Sequence, residues 1–183
     1  MAVRGASNLS GSRATRAAGA RWGLVDSRRA SVLLSDLLSI DRIKVPLESS
    51  DKEGLLAELV GLVAVDCDER RRRSVLRAVR ERESVLSTGI GNGVAIPHGK
   101  TEALHDLRLA AGVTGDPVDF DALDGAPVSL FFLLVGPENA AGTHVKALSR
   151  ISRLLRKEEL RRRLVSARSA DEFLETLREL EGT

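Results

Sequence analysis

A chain of 183 residues with 43% hydrophobic and 30% charged content has the length of one domain and enough apolar material for a core. No run of 18 apolar residues occurs, which excludes a membrane-spanning helix. The lone Cys67 excludes an internal disulfide or a cysteine-based zinc site and leads to the expectation of a reducing, cytoplasmic compartment. The net charge of +2 is unevenly divided. Residues 1–30 hold Arg4, Arg13, Arg16, Arg21, Arg28 and Arg29 against Asp26, leaving 22 basic and 25 acidic residues elsewhere. The body is therefore not the basic surface that nucleic acid requires, and with no tyrosine it lacks stacking platforms.

Residues 1–30, rich in Arg, Ser, Ala and Gly, read as a disordered extension. The same composition fits an organelle transit peptide or an extended gene start. Residues 31–39 suggest a helical turn or two, and Ile43–Leu47 a first strand, placed at an edge by Pro46. Ser50-Asp51-Lys52-Glu53 is a capping box opening a helix with Leu55, Leu56, Leu59, Val60 and Val63 on its apolar face. A second helix is expected over residues 69–82, burying Val75, Leu76 and Val79. A glycine-spaced loop then leads into a short apolar strand that ends on His98.

Leu107, Leu109, Ala111 and Val113 alternate as a half-buried strand does, whereas residues 128–135 are nearly all apolar and read as a central strand covered on both faces. Gly142-Thr143 predicts a helix start with Thr143 as N-cap, burying Val145, Leu148, Ile151, Leu154 and Leu155. A short helix carries Leu160 and Leu164. A second capping box, Ser169 to Glu172, opens a last helix that buries Phe173, Leu174, Leu177 and Leu180. Strands interleaved with helices give an α/β domain with helices on both faces of its sheet.

The segment Ser87-Thr88-Gly89-Ile90-Gly91-Asn92-Gly93-Val94-Ala95-Ile96-Pro97-His98-Gly99-Lys100 concentrates the chemistry. An imidazole at the edge of a rigid core can present a neutral nitrogen nucleophile near neutral pH without a separate base. Close glycines let successive amides converge on an anion, so Gly89, Gly91 and Gly93, with Ser87 and Thr88, form a candidate anion cradle. His144, on the first turn of its helix, lies where unpaired N–H groups favour negative charge. Arg82 is a candidate guanidinium for phosphate oxygens. Arg80 is its rival, and only the spacing to Ser87-Thr88 selects Arg82. Gly99-Lys100-Thr101 falls short of a nucleotide-binding loop because Val94 stands where glycine is required. The arginine runs 70–73 and 161–163 read as solvated helix faces, and His105 as a surface residue.

The pattern Ser-Thr-Gly-x-Gly-x-Gly-x-Ala-x-Pro-His, with Arg82-Glu83 before it and Thr143-His144 after the apolar strand, resembles the phosphorylation site of the mannitol/fructose-class (type 2) IIA proteins of the bacterial phosphoenolpyruvate-dependent phosphotransferase system. That class includes stand-alone nitrogen-regulatory IIA proteins. The resemblance covers residues 35 to 180 and implies a domain over 31–183. It implies a three-layer sandwich, a mixed sheet of about five strands between helices. It further implies that His98 accepts a phosphoryl group from the phosphohistidine of HPr. His144, Arg82 and the Ser87-Thr88/glycine loop would hold the transferred group, without metal or cofactor. The acceptor would be a IIB component in sugar uptake, or the phosphorylation state would control regulatory target proteins. With no IIB-, IIC- or HPr-like stretch in these residues, a free-standing nitrogen-regulatory type is the expectation. A binding module of the same fold without phosphotransfer is the contrasting class, and partnership with nucleic acid or membrane insertion is not expected.

Overall fold

The strand Val128–Gly136 (β6) organises the fold because its residues are apolar on both faces. In the computed structural model, which describes residues 33–181, its side chains alternate between two cores. Leu130, Phe132 and Leu134 enter one core, and Val128, Phe131, Leu133 and Val135 the other. The extension expected over residues 1–30 lies outside the described residues.

The chain order is α1 (Leu34–Leu37), β1 (Ile43–Leu47), α2 (Lys52–Val63), α3 (Glu69–Val85), β2 (Gly89–Gly91), β3 (Val94–Ala95), β4 (His98–Lys100), β5 (Arg108–Val118), then β6. Three helices follow, α4 (Ala141–Leu154), α5 (Glu158–Val165) and α6 (Ala170–Glu181). The strands form one mixed sheet in the order β1-β5-β6-β3-β2, with β4 pairing β6 beyond β3. β1 runs parallel to β5, β5 antiparallel to β6, and both β3 and β4 parallel to β6. α2 and α3 cover one face through Leu55, Leu59, Val63, Val75 and Val79. The opposite face packs against α1, α4, α5 and α6 through Leu34, Ile151, Leu160, Leu164, Phe173 and Leu177. The three-layer α/β arrangement is thus present, with six strands rather than about five, and β1 lies at the edge.

Several local expectations are corrected. β5 is buried on both faces rather than half-buried. Leu109, Ala111 and Val113 enter one core and Ala110 the other, because β5 lies between β1 and β6 with helices on either side. Gly112 permits that crowding, since a Cβ there would lie 2.7 Å from both the Lys44 carbonyl oxygen and Leu47 Cγ. The N-cap of α2 is Asp51, whose carboxylate accepts the Gly54 amide, not Ser50. Glu53 leaves the expected box to pair with Arg80. Ahead of α6, Ser169 Oγ accepts the Glu172 amide as expected, but Glu172 reaches back to the Arg168 amide.

The helix expected to start at Thr143 begins at Ala141, because a 3-10 turn over Glu138–Ala140 runs directly into it. Its N-cap position, Ala140, makes no side-chain cap. The helix buries the stripe His144, Ala147, Ile151 and Leu154, which leaves Val145 outward, 60% exposed, and Leu148 only half-buried. α3 continues three residues past Arg82 to Val85. We predict that Gly112→Ala lowers unfolding stability by about 1–3 kcal/mol through overpacking. Chemical denaturation checks this; an unchanged midpoint would show that β1 can move away.

Candidate functional site

His98 opens β4, where it pairs in register with Leu134 of β6. The expected single strand into His98 is broken: β3 ends at Ala95, and Ile96-Pro97 separates it from β4. Proline supplies no amide for a ladder, yet its carbonyl still accepts the Leu134 amide at 3.0 Å. The next residue, Gly99, brings helix α3 close, since a Cβ there would lie 3.1 Å from the Val79 amide nitrogen. One helical turn beyond Val79 stands Arg82, whose Nε donates to His98 Nε2 at 3.1 Å. On the other side of the ring, Nδ1 lies 2.9 Å from the Ile96 carbonyl oxygen.

These two contacts assign the tautomer from opposite sides. A carbonyl oxygen can only accept, so Nδ1 carries the proton; a guanidinium N–H can only donate, so Nε2 carries the lone pair. Arg82 Nη1 also donates to the Leu86 carbonyl, and Arg82 has no carboxylate partner among the described residues. Arg80, its sequence rival, is neutralised by Glu53 at 2.7 Å and is exposed. Burial pushes the His98 pKa below the ordinary histidine value, the Ile96 bond opposes that, and the Arg82 charge adds to it. The ring is therefore held neutral near pH 7.

His144 heads the buried stripe of α4 that continues through Ala147, Ile151 and Leu154, so the packing of the helix on the sheet carries the ring inward. Its ring centroid lies 5.9 Å from that of His98, with the planes tilted by 54°. The residue is only 2% exposed, and neither ring nitrogen has a hydrogen-bond partner among the described residues. Desolvation, with the nearby His98 and Lys100 adding to it, lowers its pKa to about 4. A buried polar ring without a hydrogen-bond partner is uncommon in a folded protein, and this one stands beside a neutral imidazole.

The Ser87-Thr88/glycine segment, the candidate anion cradle, is bonded into a hairpin and its neighbours. Residues 89–95 form a hairpin, β2 against β3, whose turn has positive φ at Gly91, Asn92 and Gly93. The Asn92 amide donates to the Asp124 carboxylate at 2.8 Å, and a Cβ on Gly91 would lie 2.9 Å from the same carboxylate. An anion at this turn would meet a negative charge already in place. Gly89 packs against Ala122, with no room for a Cβ, and its amide donates to Ser87 Oγ. Ser87 Oγ donates to the Phe120 carbonyl, and Thr88 is buried with its amide and hydroxyl both given to Glu83.

Glu83 is the residue that sequence reasoning missed. The signal was available: Val75 and Val79 define a buried stripe at four-residue spacing, and Glu83 is the next position on it. Its carboxylate is paired with Lys52 Nζ at 2.8 Å. Exposed apolar side chains stand at both margins of the histidine site. Val85 and Leu86 follow Arg82, and Val145 follows His144. His105 is exposed, as expected. Among the described residues, no group of three or more His, Cys, Asp or Glu side chains gathers as a metal site, and no helix is long and apolar enough to cross a membrane.

The fold and its paired rings define a class, an α/β domain built around a histidine at the head of a short strand. The chain belongs to the EIIA 2 family of the phosphoenolpyruvate-dependent sugar phosphotransferase system, whose family model matches residues 36–180. It is 39% identical over 144 residues to the fructose-specific EIIABC component of Bacillus subtilis, covering 79% of this chain but only 23% of that protein. The nitrogen regulatory protein of Bradyrhizobium diazoefficiens is 36% identical over 144 residues, covering 79% of this chain and 94% of that one. Among solved structures, the nitrogen regulatory protein IIA-Ntr of Neisseria meningitidis superposes with a TM-score of 0.73 at 35% identity, covering 79% of this chain and 98% of that one.

The buried His144 ring generates a pH prediction. Because its pKa is lower in the fold than the ordinary 6.5, the unfolded chain binds more protons between pH 6.5 and 4. Stability is then greatest above pH 6.5 and is lost as the pH falls towards 4. From pH 7.5 to 5, the protein should lose about 2 kcal/mol more than His144→Leu. Urea melts at the two pH values measure this, and equal losses would contradict it.

Proposed function

We propose that His98 is the phosphoryl acceptor of this domain and that Nε2 is the attacking atom. The observation that carries the reading is the pair of contacts that put the proton on Nδ1 and the lone pair on Nε2. In the reaction, the donor is the phosphohistidine of an HPr-type carrier. The donor's P–N bond breaks, its ring leaves with the electron pair, and a new P–N bond forms at His98 Nε2. No proton needs to move, because Nδ1 keeps its hydrogen throughout. The positive charge that develops on the His98 ring is met by the Ile96 carbonyl dipole. Donor and product are both phosphoramidates, so the step is close to isoenergetic, and catalysis reduces to in-line placement and charge stabilisation.

Arg82 releases Nε2 as the phosphoryl group approaches and offers its N–H groups to the equatorial oxygens. His144, neutral and unpartnered, donates one N–H to the same oxygens and gains the partner it lacks. Ser87, Thr88, Gly89, Gly91 and Gly93 shape the hairpin that carries Ile96 and His98, rather than binding phosphate directly. The exposed Val85, Leu86 and Val145 provide the apolar rim on which a carrier protein docks. The working domain is residues 31–183, with 1–30 as an extension, and its setting is the cytoplasm.

For the output, we favour regulation of target proteins by phosphorylation state. Support comes from the nitrogen regulatory proteins of Bradyrhizobium diazoefficiens and Neisseria meningitidis, of which this chain covers 94% and 98%. The similarity to the fructose component carries the second reading, transfer onward to a IIB component during sugar uptake. Rapid discharge of the phosphorylated protein by a fructose-type IIB would select that reading.

The full chain incubated with phosphoenolpyruvate, enzyme I and HPr should take up one acid-labile phosphate, and His98→Ala should take up none. His144→Ala should remain folded and load roughly a hundredfold more slowly. Uptake by His98→Ala would remove the acceptor, and unchanged kinetics in His144→Ala would remove that ring from the site.

A further inference from the structure

The imidazole orientation is itself held by an unbroken series of bonds that begins outside the site. Lys52, at the head of α2, reaches Glu83 Oε1 at 2.8 Å, and its ammonium also contacts the Phe120 carbonyl and Asp121. Glu83 accepts the Thr88 amide at 3.1 Å and the Thr88 hydroxyl at 2.5 Å. The Thr88 carbonyl accepts the Ile96 amide at 3.0 Å, and the Ile96 carbonyl takes His98 Nδ1–H at 2.9 Å. Each link leaves no freedom for the next. A carboxylate filled by Lys52 and Thr88 fixes the segment entering the hairpin. That segment fixes the Ala95–Ile96 peptide, and the Ile96–Pro97 peptide that follows it carries the carbonyl to which Nδ1 donates.

We infer that Glu83, through its buried grip on Thr88, is a positioning residue that holds His98 in the Nδ1–H tautomer required for attack by Nε2. Glu83 makes no hydrogen bond to the ring, so its hold on the tautomer runs through Thr88. Its neighbour Arg82 faces His98 while Glu83 faces inward, because a helix turns successive side chains towards different sides. Lys52 pairs with the Glu83 carboxylate and with Asp121, and the Glu83 charge opposes the larger effect of burial on the His98 ring. An imidazole freed from the Ile96 carbonyl would place its proton on either nitrogen, and each ring protonated at Nε2 has no lone pair there. The inference rests on the proposed acceptor role of His98, but its first readout does not depend on phosphotransfer.

The test compares the full-length protein with Thr88→Val, Thr88→Ser and Glu83→Gln. Two-bond proton–nitrogen correlation spectra at pH 7.5 report the His98 tautomer in the unphosphorylated state. The unaltered protein and Thr88→Ser, which keeps the hydroxyl, should show protonated Nδ1 and bare Nε2. Thr88→Val and Glu83→Gln should show a tautomer mixture and load phosphate about tenfold more slowly. The inference is overturned if both variants keep the unaltered tautomer, whatever their loading rate. It is also overturned if Thr88→Ser behaves as Thr88→Val does. If Glu83→Gln does not fold, the two Thr88 variants decide. A protein that shows the expected tautomers but takes up no phosphate would defeat the proposed function and leave the clamp standing.

Discussion

The hydrogen bond between His98 Nδ1 and the Ile96 carbonyl is the constraint on which the site depends. A neutral imidazole has one donor and one acceptor, so committing the donor to a backbone carbonyl decides where the lone pair points. Here it points at Arg82 Nε, on the side of the ring where the arginine approaches. The carbonyl is not free to turn. Ala95 is paired in register with Phe131 of β6, the Ile96 amide is bonded to Thr88, and the Pro97 carbonyl is bonded to Leu134. The central strand of the sheet thus sets the chemistry of a side chain at its margin.

Electrostatically the site consists of two rings kept neutral by burial and one guanidinium that no described carboxylate neutralises. Of the two acids flanking Arg82, Glu83 is occupied by Lys52 and Thr88, and Glu81 lies against Arg77. Burying His144 without a partner costs about 1–3 kcal/mol, which a fold with two well-filled cores tolerates. Under the proposed function that cost is offset when phosphoryl oxygens arrive, so the empty site is complementary to a loaded state. A phosphate bound between Arg82 and His144 would be met by a charge-assisted bond on one side and a desolvated donor on the other.

Much of this was legible in the chain, and the failures have physical causes. The run from Val128 to Val135 announced a doubly covered strand because every residue in it except Ser129 is apolar. β5 did not, because Ala110 and Gly112 are too small to register as core, although Gly112 is what lets β1 approach. The histidine pair was legible from spacing and resemblance, but the start of its second helix was not: Ala140 and Ala141 carry no capping chemistry, and Thr143 imitates a cap. The hairpin was not legible in the glycine spacing, because the positive φ at Gly91 and Gly93 and the close contact of Gly89 with Ala122 are set by tertiary packing. Glu83, quoted only as the neighbour of Arg82, carried no role because an acid in an arginine-rich helix reads as a solvated partner. Only its place on the Val75–Val79 stripe distinguishes it.

The central claim concerns a single atom, and locating the phosphate on the ring tests it most directly. The protein, loaded by phosphoenolpyruvate, enzyme I and HPr and kept at alkaline pH to preserve the P–N bond, would be studied by phosphorus and nitrogen magnetic resonance. The account predicts a phosphorus coupling to Nε2 of His98 and a proton retained on Nδ1. Phosphate found on Nδ1, or on His144, would contradict it.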